Sequence, residues 1–194
     1  ATVVEIDCAL HGEDFSPDGG FTASLDSVAM IQYTSGSTSR PKGVMLTHRN
    51  LIENARGMQA HGKFDSDSIS FSWLPPYHDM GLISGLVLPL CVGYPGILCA
   101  SRRFLTRPVS WFESISRFRA TVTGAPNFAF DYCVDRIHNH ELENLNLSSL
   151  KAVFNGSEPI RAQTLKRFSE RFELIGLNPD ALSPVYGLAE ATLM

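Results

Sequence analysis

Residues Thr34 to Gly43 read TSGSTSRPKG, and every one except Arg40 is Ser, Thr, Gly, Pro or Lys. Glycine and small hydroxyl residues let a backbone come close to a phosphate, whose oxygens accept from N–H and O–H groups. Thr34, Ser35, Gly36, Ser37, Thr38 and Ser39 supply such groups, and Lys42, next to Gly43, adds a point charge. Pro41 stiffens the chain just before Lys42. The general phosphate-loop pattern, GxxxxGK followed by Ser or Thr, is not met. Gly36 and Gly43 stand too far apart, Lys42 precedes the second glycine, and no hydroxyl residue follows Lys42. A phosphate-loop NTPase is therefore disfavoured, and on composition alone a polar surface loop is the stronger reading.

Other reactive side chains are individually bland. A single histidine such as His78 is ordinarily a hydrogen-bonded structural residue. A lone glutamate such as Glu190 suits a helix N-terminus. Tyr186 suits the end of a strand as a core aromatic. Ser157, just ahead of Pro159, suits a helix N-cap with the proline at the first turn. The cysteines at 8, 91, 99 and 133 contain no CxxC pair, and the histidines do not fall at ligand spacings around them. Reduced, buried thiols in a cytosolic protein are expected. His138-Asn139-His140 reads as a solvated loop, not a metal site.

The elements that must position these groups follow from periodicity. The chain has 194 residues, is 44% hydrophobic and 19% charged, and carries a formal charge of −4. That describes a globular domain, or a large piece of one, with no electrostatic footprint for nucleic acid and no basic run for an anionic membrane. Gly81 to Leu98 has no charged residue. Its prolines and glycines break it too often for a membrane span, so a buried helix, a turn and a buried strand are expected. Strands are expected at Val28–Tyr33, Ile69–Leu74, Ala120–Thr123, Lys151–Asn155 and Leu182–Tyr186. Helices are expected at Thr47–Gly62 (Thr47 as N-cap), from Pro108 through Phe118, from Pro126 to about His138, and from Pro159 onward. Alternation of this kind implies an α/β fold with a largely parallel sheet flanked by helices. The hydroxyl-rich loop then falls between a strand and a helix, where α/β proteins commonly hold nucleotides.

The order of residues in that loop resembles the phosphate-binding signature of the AMP-forming adenylating enzymes. This superfamily contains acyl-CoA synthetases, luciferases, peptide-synthetase adenylation domains and fatty acyl-AMP ligases. Three further segments follow in the family's order: WLPPYHDMGL from Trp73, NGSEP from Asn155 and YGLAEAT from Tyr186. The residue Ser39, where the family usually has glycine, and the HDMGL, NGSEP and YGLAEATL wordings are most similar to the fatty acyl-AMP ligase branch. The resemblance covers the chain from Val28 onward.

The resemblance implies a reaction of a carboxylate with Mg·ATP to give an acyl adenylate and pyrophosphate. It implies that Thr34 to Gly43 cradle the β- and γ-phosphates and that Glu190 helps hold Mg2+. It implies that Tyr186, with Gly187, stacks on adenine, that Asn155, Gly156, Ser157 and Glu158 contact the nucleotide, and that His78 stands near the acyl carbonyl and α-phosphate. Met80, Leu82, Ile83 and Phe128 are candidates for the acyl pocket, although apolar residues at such spacing are more often plain core. The acceptor implied is the phosphopantetheine thiol of an acyl carrier protein. A CoA ligase and a non-catalytic acyl-adenylate-binding or carrier-docking module are the alternatives. Residues 1–194 would be the central part of the N-terminal adenylation domain. The family's ribose-binding Asp motif and its C-terminal domain with the catalytic Lys have no match here, so a fragment without useful activity of its own is expected.

Overall fold

The computed structural model describes residues 24–34 and 42–194. Strands β1 (Val28–Thr34) and β2 (Lys42–Thr47) form an antiparallel hairpin. Helix α1 (His48–Gly62) follows directly. Thr47 caps it as expected: its side chain takes the Asn50 N–H, and Asn50 returns a bond to the Thr47 backbone. The hairpin corrects one expectation. The hydroxyl-rich loop joins two paired strands, not a strand and a helix. Thr34 is the register partner of Lys42, so the two residues flanking the loop face each other at its base. Val44-Met45-Leu46 gives no alternation from which β2 could be read.

Five parallel strands make the main sheet: β3 (Ser70–Ser72), β4 (Gly96–Leu98), β5 (Val122–Pro126), β6 (Ala152–Gly156) and β7 (Leu182–Pro184). Their spatial order is β4-β3-β5-β6-β7. The largely parallel sheet is as the alternation implied. The Gly81–Leu98 run contains a π-helical segment (Met80–Val87), α2 (Leu88–Val92), a left-handed turn at Gly93 and β4. Pro89 does not interrupt it. It lies in the first turn of α2, and the Leu88 N–H reaches back to the Ile83 carbonyl. The strand that ends the run is not buried, because β4 is the sheet's edge and Gly96 and Leu98 are exposed.

The remaining helices are α3 (Ser101–Thr106), α4 (Val109–Phe118), α5 (Asn127–Arg136) and α6 (Ala162–Phe172). Alternate strand residues serve opposite faces. Val122, Ala152 and Phe154 pack with Ala55 and Met58 of α1 and with Met80, Ile83 and Leu88. Phe71, Ala125 and Val153 pack with Trp111 and Phe112 of α4, Phe130 of α5, and Phe168 and Phe172 of α6. Edge-to-face ring pairs knit this second layer, Phe112 to Phe172 at 4.7 Å and Phe130 to Phe168 at 4.8 Å. The Trp111 indole N–H donates to Thr123 Oγ1 at 2.9 Å, and Thr123 donates to the Phe71 carbonyl at 2.8 Å, so the buried polar atoms tie α4 to two strands.

Helix α6 starts later than Pro159, at Ala162, and its N-cap is Arg161 rather than Ser157. Ser157 instead sits in the left-handed region at φ 66°. The reason is tertiary: the Arg161 N–H is held by the Asn127 side chain at 3.1 Å.

Candidate active site

The strand order reverses direction at β3, with β4 on one side and β5 on the other. In open parallel sheets the crevice outside the carboxyl ends of the strands near such a point is where ligands bind. The segments leaving β3, β6 and β7 carry His78, Ser157 and Gly187. A cleft of about 130 Å3 lies there, walled by His78, Met80, Ser157, Val185, Gly187 and Met58 of α1. Three sequence segments far apart in the chain thus meet in one place.

His78 and Asp79 form the polar rim. Nδ1 of His78 lies 2.8 Å from Asp79 Oδ1, with side-chain exposures of 52% and 21%. Asp79 also accepts the Met80 N–H at 2.6 Å, capping the π-helical segment. The same N–H lies 3.2 Å from His78 Nδ1. The shorter contact takes the donor, so Nδ1 is the proton-bearing nitrogen and donates to Asp79. The hydrogen bond and charge of Asp79 raise the His78 pKa against the opposing effect of burial, and His78 lowers that of Asp79. With Nδ1 committed, Nε2 is the ring nitrogen left for a ligand.

Met80 lies behind this rim. Its carbonyl accepts from Ser84, and its sulfur accepts from the Ser157 hydroxyl at 3.2 Å. The wall formed by Gly187 to Met194 is closed by its own backbone: the Leu188 N–H donates to the Leu193 carbonyl at 2.9 Å. Any side chain at 187 would collide with that oxygen, because a Cβ there falls 1.8 Å from it. From α1, the Asn54 amide donates to the Met194 carbonyl at 2.5 Å and holds the same segment.

The expected site residues divide clearly. His78, Met80, Gly156, Ser157 and Gly187 line the cleft. Tyr186 stands beside it with its side chain 84% exposed, a ring face open at the end of β7. Glu190 is exposed on the single turn Ala189–Ala191. Asn155 is buried, with its amide donated to Asn127 at 3.2 Å, so the exposed part of that segment begins at Ser157. The Glu158 carboxylate accepts the Phe128 N–H at 2.5 Å, at the positive end of α5. Of the acyl-pocket candidates besides Met80, Ile83 is packed in the core, Leu82 packs against the same core, and Phe128 is 45% exposed on α5. Thr34, Lys42 and Gly43 are on the hairpin, while Ser35, Gly36, Ser37, Thr38 and Ser39 lie outside the described residues. Sequence reasoning missed Met58, Ser84, Phe154, Val185, Leu193 and Met194 as lining. Only Met58 left a signal, one helical turn from Ala55 on the buried face of α1.

Among the described residues, no group of three His, Cys, Asp or Glu side chains is arranged to hold a metal. His138 and His140 stack ring on ring at 5.7 Å. Glu190 is exposed and is not among the residues that wall the cleft. No helix among the described residues is long and apolar enough to cross a membrane.

The family model described as AMP-binding enzyme matches residues 7–194. The chain is 47% identical over 169 residues to the medium-chain fatty acid acyl-carrier-protein ligase JamA of Moorena producens, covering 87% of this chain and 28% of that protein. It is 42% identical to the corresponding ligase TtuA of Teredinibacter turnerae, covering 89% and 27%. Among solved structures, the fatty acyl-adenylate ligase from L. pneumophila in complex with acyl adenylate and pyrophosphate superposes with a TM-score of 0.86. It is 44% identical and is matched over 90% of this chain and 31% of its own. The chain therefore spans less than a third of the length of these relatives.

Proposed function

Because the chain belongs to the AMP-binding enzyme family, we propose that its parent protein activates a fatty acid with ATP, releasing pyrophosphate, and passes the acyl group to the phosphopantetheine thiol of an acyl carrier protein. Residues 1–194 then form the central part of the N-terminal adenylation domain. The matched share of the relatives, 28% and 27%, supports further domains in the parent and too little machinery here for useful turnover alone. Three free thiols among the described residues support a reducing, cytoplasmic setting.

The observation that carries the reading is the convergence of His78, Ser157 and Gly187 on one cleft at the carboxyl edge of the sheet. In the proposed step a carboxylate oxygen attacks the α-phosphorus, and the bond to pyrophosphate breaks. Such transfers depend mainly on positioning and on charge neutralisation. His78 presents Nε2, which donates in the imidazolium form that best meets developing negative charge, and the hydrogen bond to Asp79 favours that form by raising the His78 pKa. The open ring of Tyr186 takes the adenine face, with Gly156 and Ser157 against the nucleotide. Lys42 and the hydroxyl-rich loop take the β- and γ-phosphates. Glu190 is the residue that would hold Mg2+, which supplies charge neutralisation on the phosphates when bound.

The test is fatty-acid-dependent exchange of labelled pyrophosphate into ATP by the full-length parent. Exchange that needs both the acid and Mg2+ is expected. Nucleotide binding with no exchange would refute adenylation and leave a non-catalytic binding module.

A further inference from the structure

Asn127 opens α5 directly after β5 and is only 4% exposed. The preceding residue, Pro126, is the register partner of Gly156, so Asn127 lies beside the loop that leaves β6. Its Oδ1 accepts from Asn155 Nδ2 at 3.2 Å and from the Arg161 backbone N–H at 3.1 Å. These two donors bracket the loop from Gly156 to Ile160. The next residue of α5, Phe128, donates its backbone N–H to Glu158 in the middle of that loop. The first turn of α5 therefore grips the loop at both ends and at its centre.

The grip has something to hold. Ser157, within the loop, adopts φ 66°, a region that residues with a Cβ seldom enter without tertiary support. In that conformation its hydroxyl reaches Met80 in the cleft. The orientation of the Asn127 amide is fixed, because the Arg161 N–H requires an oxygen. Its nitrogen then faces Thr164 Oγ1 at 3.4 Å, Thr164 donates to Asp131 at 2.7 Å, and Arg167 pairs with Asp131 at 2.9 Å. The run of donors from Asn155 through Asn127 to Thr164 ends on a carboxylate paired with Arg167.

We propose that Asn127 is a positioning residue that holds the Gly156–Ile160 loop in the shape that receives the nucleotide half of the adenylate. The inference rests on the reading above that Gly156 and Ser157 face the nucleotide. Asn127 itself touches no ligand in this account; it acts through Asn155, Arg161 and, by way of α5, Glu158.

The experiment uses the full-length parent and two readouts: backbone hydrogen exchange of the 156–161 segment without ligand, and separate KM values for ATP and fatty acid. Asn127→Leu is expected to speed exchange in that segment. It is also expected to raise the KM for ATP about tenfold or more, as the loss of two hydrogen bonds, one of them buried, implies, with the KM for fatty acid nearly unchanged. Thr164→Val, which cuts the network on the far side of Asn127, is expected to lower the melting temperature without raising the ATP KM. Glu158 is on the surface, so its variants remain informative if Asn127→Leu does not fold. Glu158→Ala is expected to raise the ATP KM, and Glu158→Gln, which keeps an acceptor oxygen, to restore it. Unchanged exchange in Asn127→Leu overturns the grip and leaves the proposed function intact. Faster exchange with an unchanged ATP KM means that the loop does not serve the nucleotide, and overturns both that assignment and this inference. An ATP KM raised equally by Thr164→Val reduces the effect to general destabilisation and also overturns it.

Discussion

Replacing Gly187 by alanine puts a methyl group where the backbone of the same segment already stands. The added carbon would fall 1.8 Å from the Leu193 carbonyl oxygen, so chain atoms must move by more than an ångström before any real contact distance is reached. The neighbour is backbone, not the end of a flexible side chain, so the displacement cannot be absorbed by a rotamer change. The oxygen that must move is the one accepting the Leu188 N–H at 2.9 Å. Overpacking of this kind costs about 1–3 kcal/mol, and the freed amide adds about 1 kcal/mol. A local loss of roughly 2–4 kcal/mol corresponds to exchange of the Leu188 amide faster by roughly thirtyfold to a thousandfold. Gly187 and Leu193 both line the cleft, so the same shift is expected to raise the KM for ATP in the full-length parent. Hydrogen exchange followed by mass spectrometry, beside ATP kinetics, measures both effects. An alanine variant with an unchanged Leu188 exchange rate and an unchanged ATP KM would refute the packing described for this wall.

Asp79→Asn removes the partner that raises the His78 pKa, so the His78 titration followed by NMR is expected to move to lower pH; a midpoint that stays put would mean the pair is not formed. The sign for stability follows from both members. The His78 contribution is complete below the ordinary histidine pKa and is lost as pH rises through the raised value. That of Asp79 is present above the ordinary carboxylate pKa and is lost as pH falls through the lowered one. Lys42→Ala is expected to lower kcat/KM for ATP by the equivalent of about 1.5–3 kcal/mol, the usual worth of a hydrogen bond to a charged group; unchanged ATP dependence would remove Lys42 from the phosphate site. Thr123→Val strands the buried Trp111 N–H and is expected to cost about 1–3 kcal/mol of stability with the ATP KM unchanged, as denaturant unfolding and kinetics together would report.

Much of this was legible from residue order, for physical reasons that differ by element. Thr47 with Asn50 is a local cap, settled within one turn, and α1 begins where those two residues require. Strands β5 and β6 are short runs ended by Pro126 and Gly156; β6 lies within one residue of the expected Lys151–Asn155, and β5 within three of the expected Ala120–Thr123. The errors arise where a distant partner decides. Pro159 looks like a helix start, yet α6 begins at Ala162, because Asn127 in another helix holds the Arg161 N–H. Strand β2 alternates poorly and owes its existence to pairing with β1. Asn127 itself carries no local signal: an asparagine in the first turn of the helix expected from Pro126 is unremarkable, and its burial is visible only once β5, β6 and α6 are brought together. The acyl-pocket candidates could not be separated from core by spacing, since Ile83 and Met80 share one π-helical segment while only Met80 lines the cleft.

The central claim is that the parent makes an acyl adenylate for a carrier protein. It is tested most directly by giving the full-length protein fatty acids, Mg·ATP, CoA and a phosphopantetheinylated acyl carrier protein together, with products read by mass spectrometry. The account predicts acyl-AMP and acylated carrier without acyl-CoA. Acyl-CoA as the main product would contradict it and make the parent a CoA ligase of the same family.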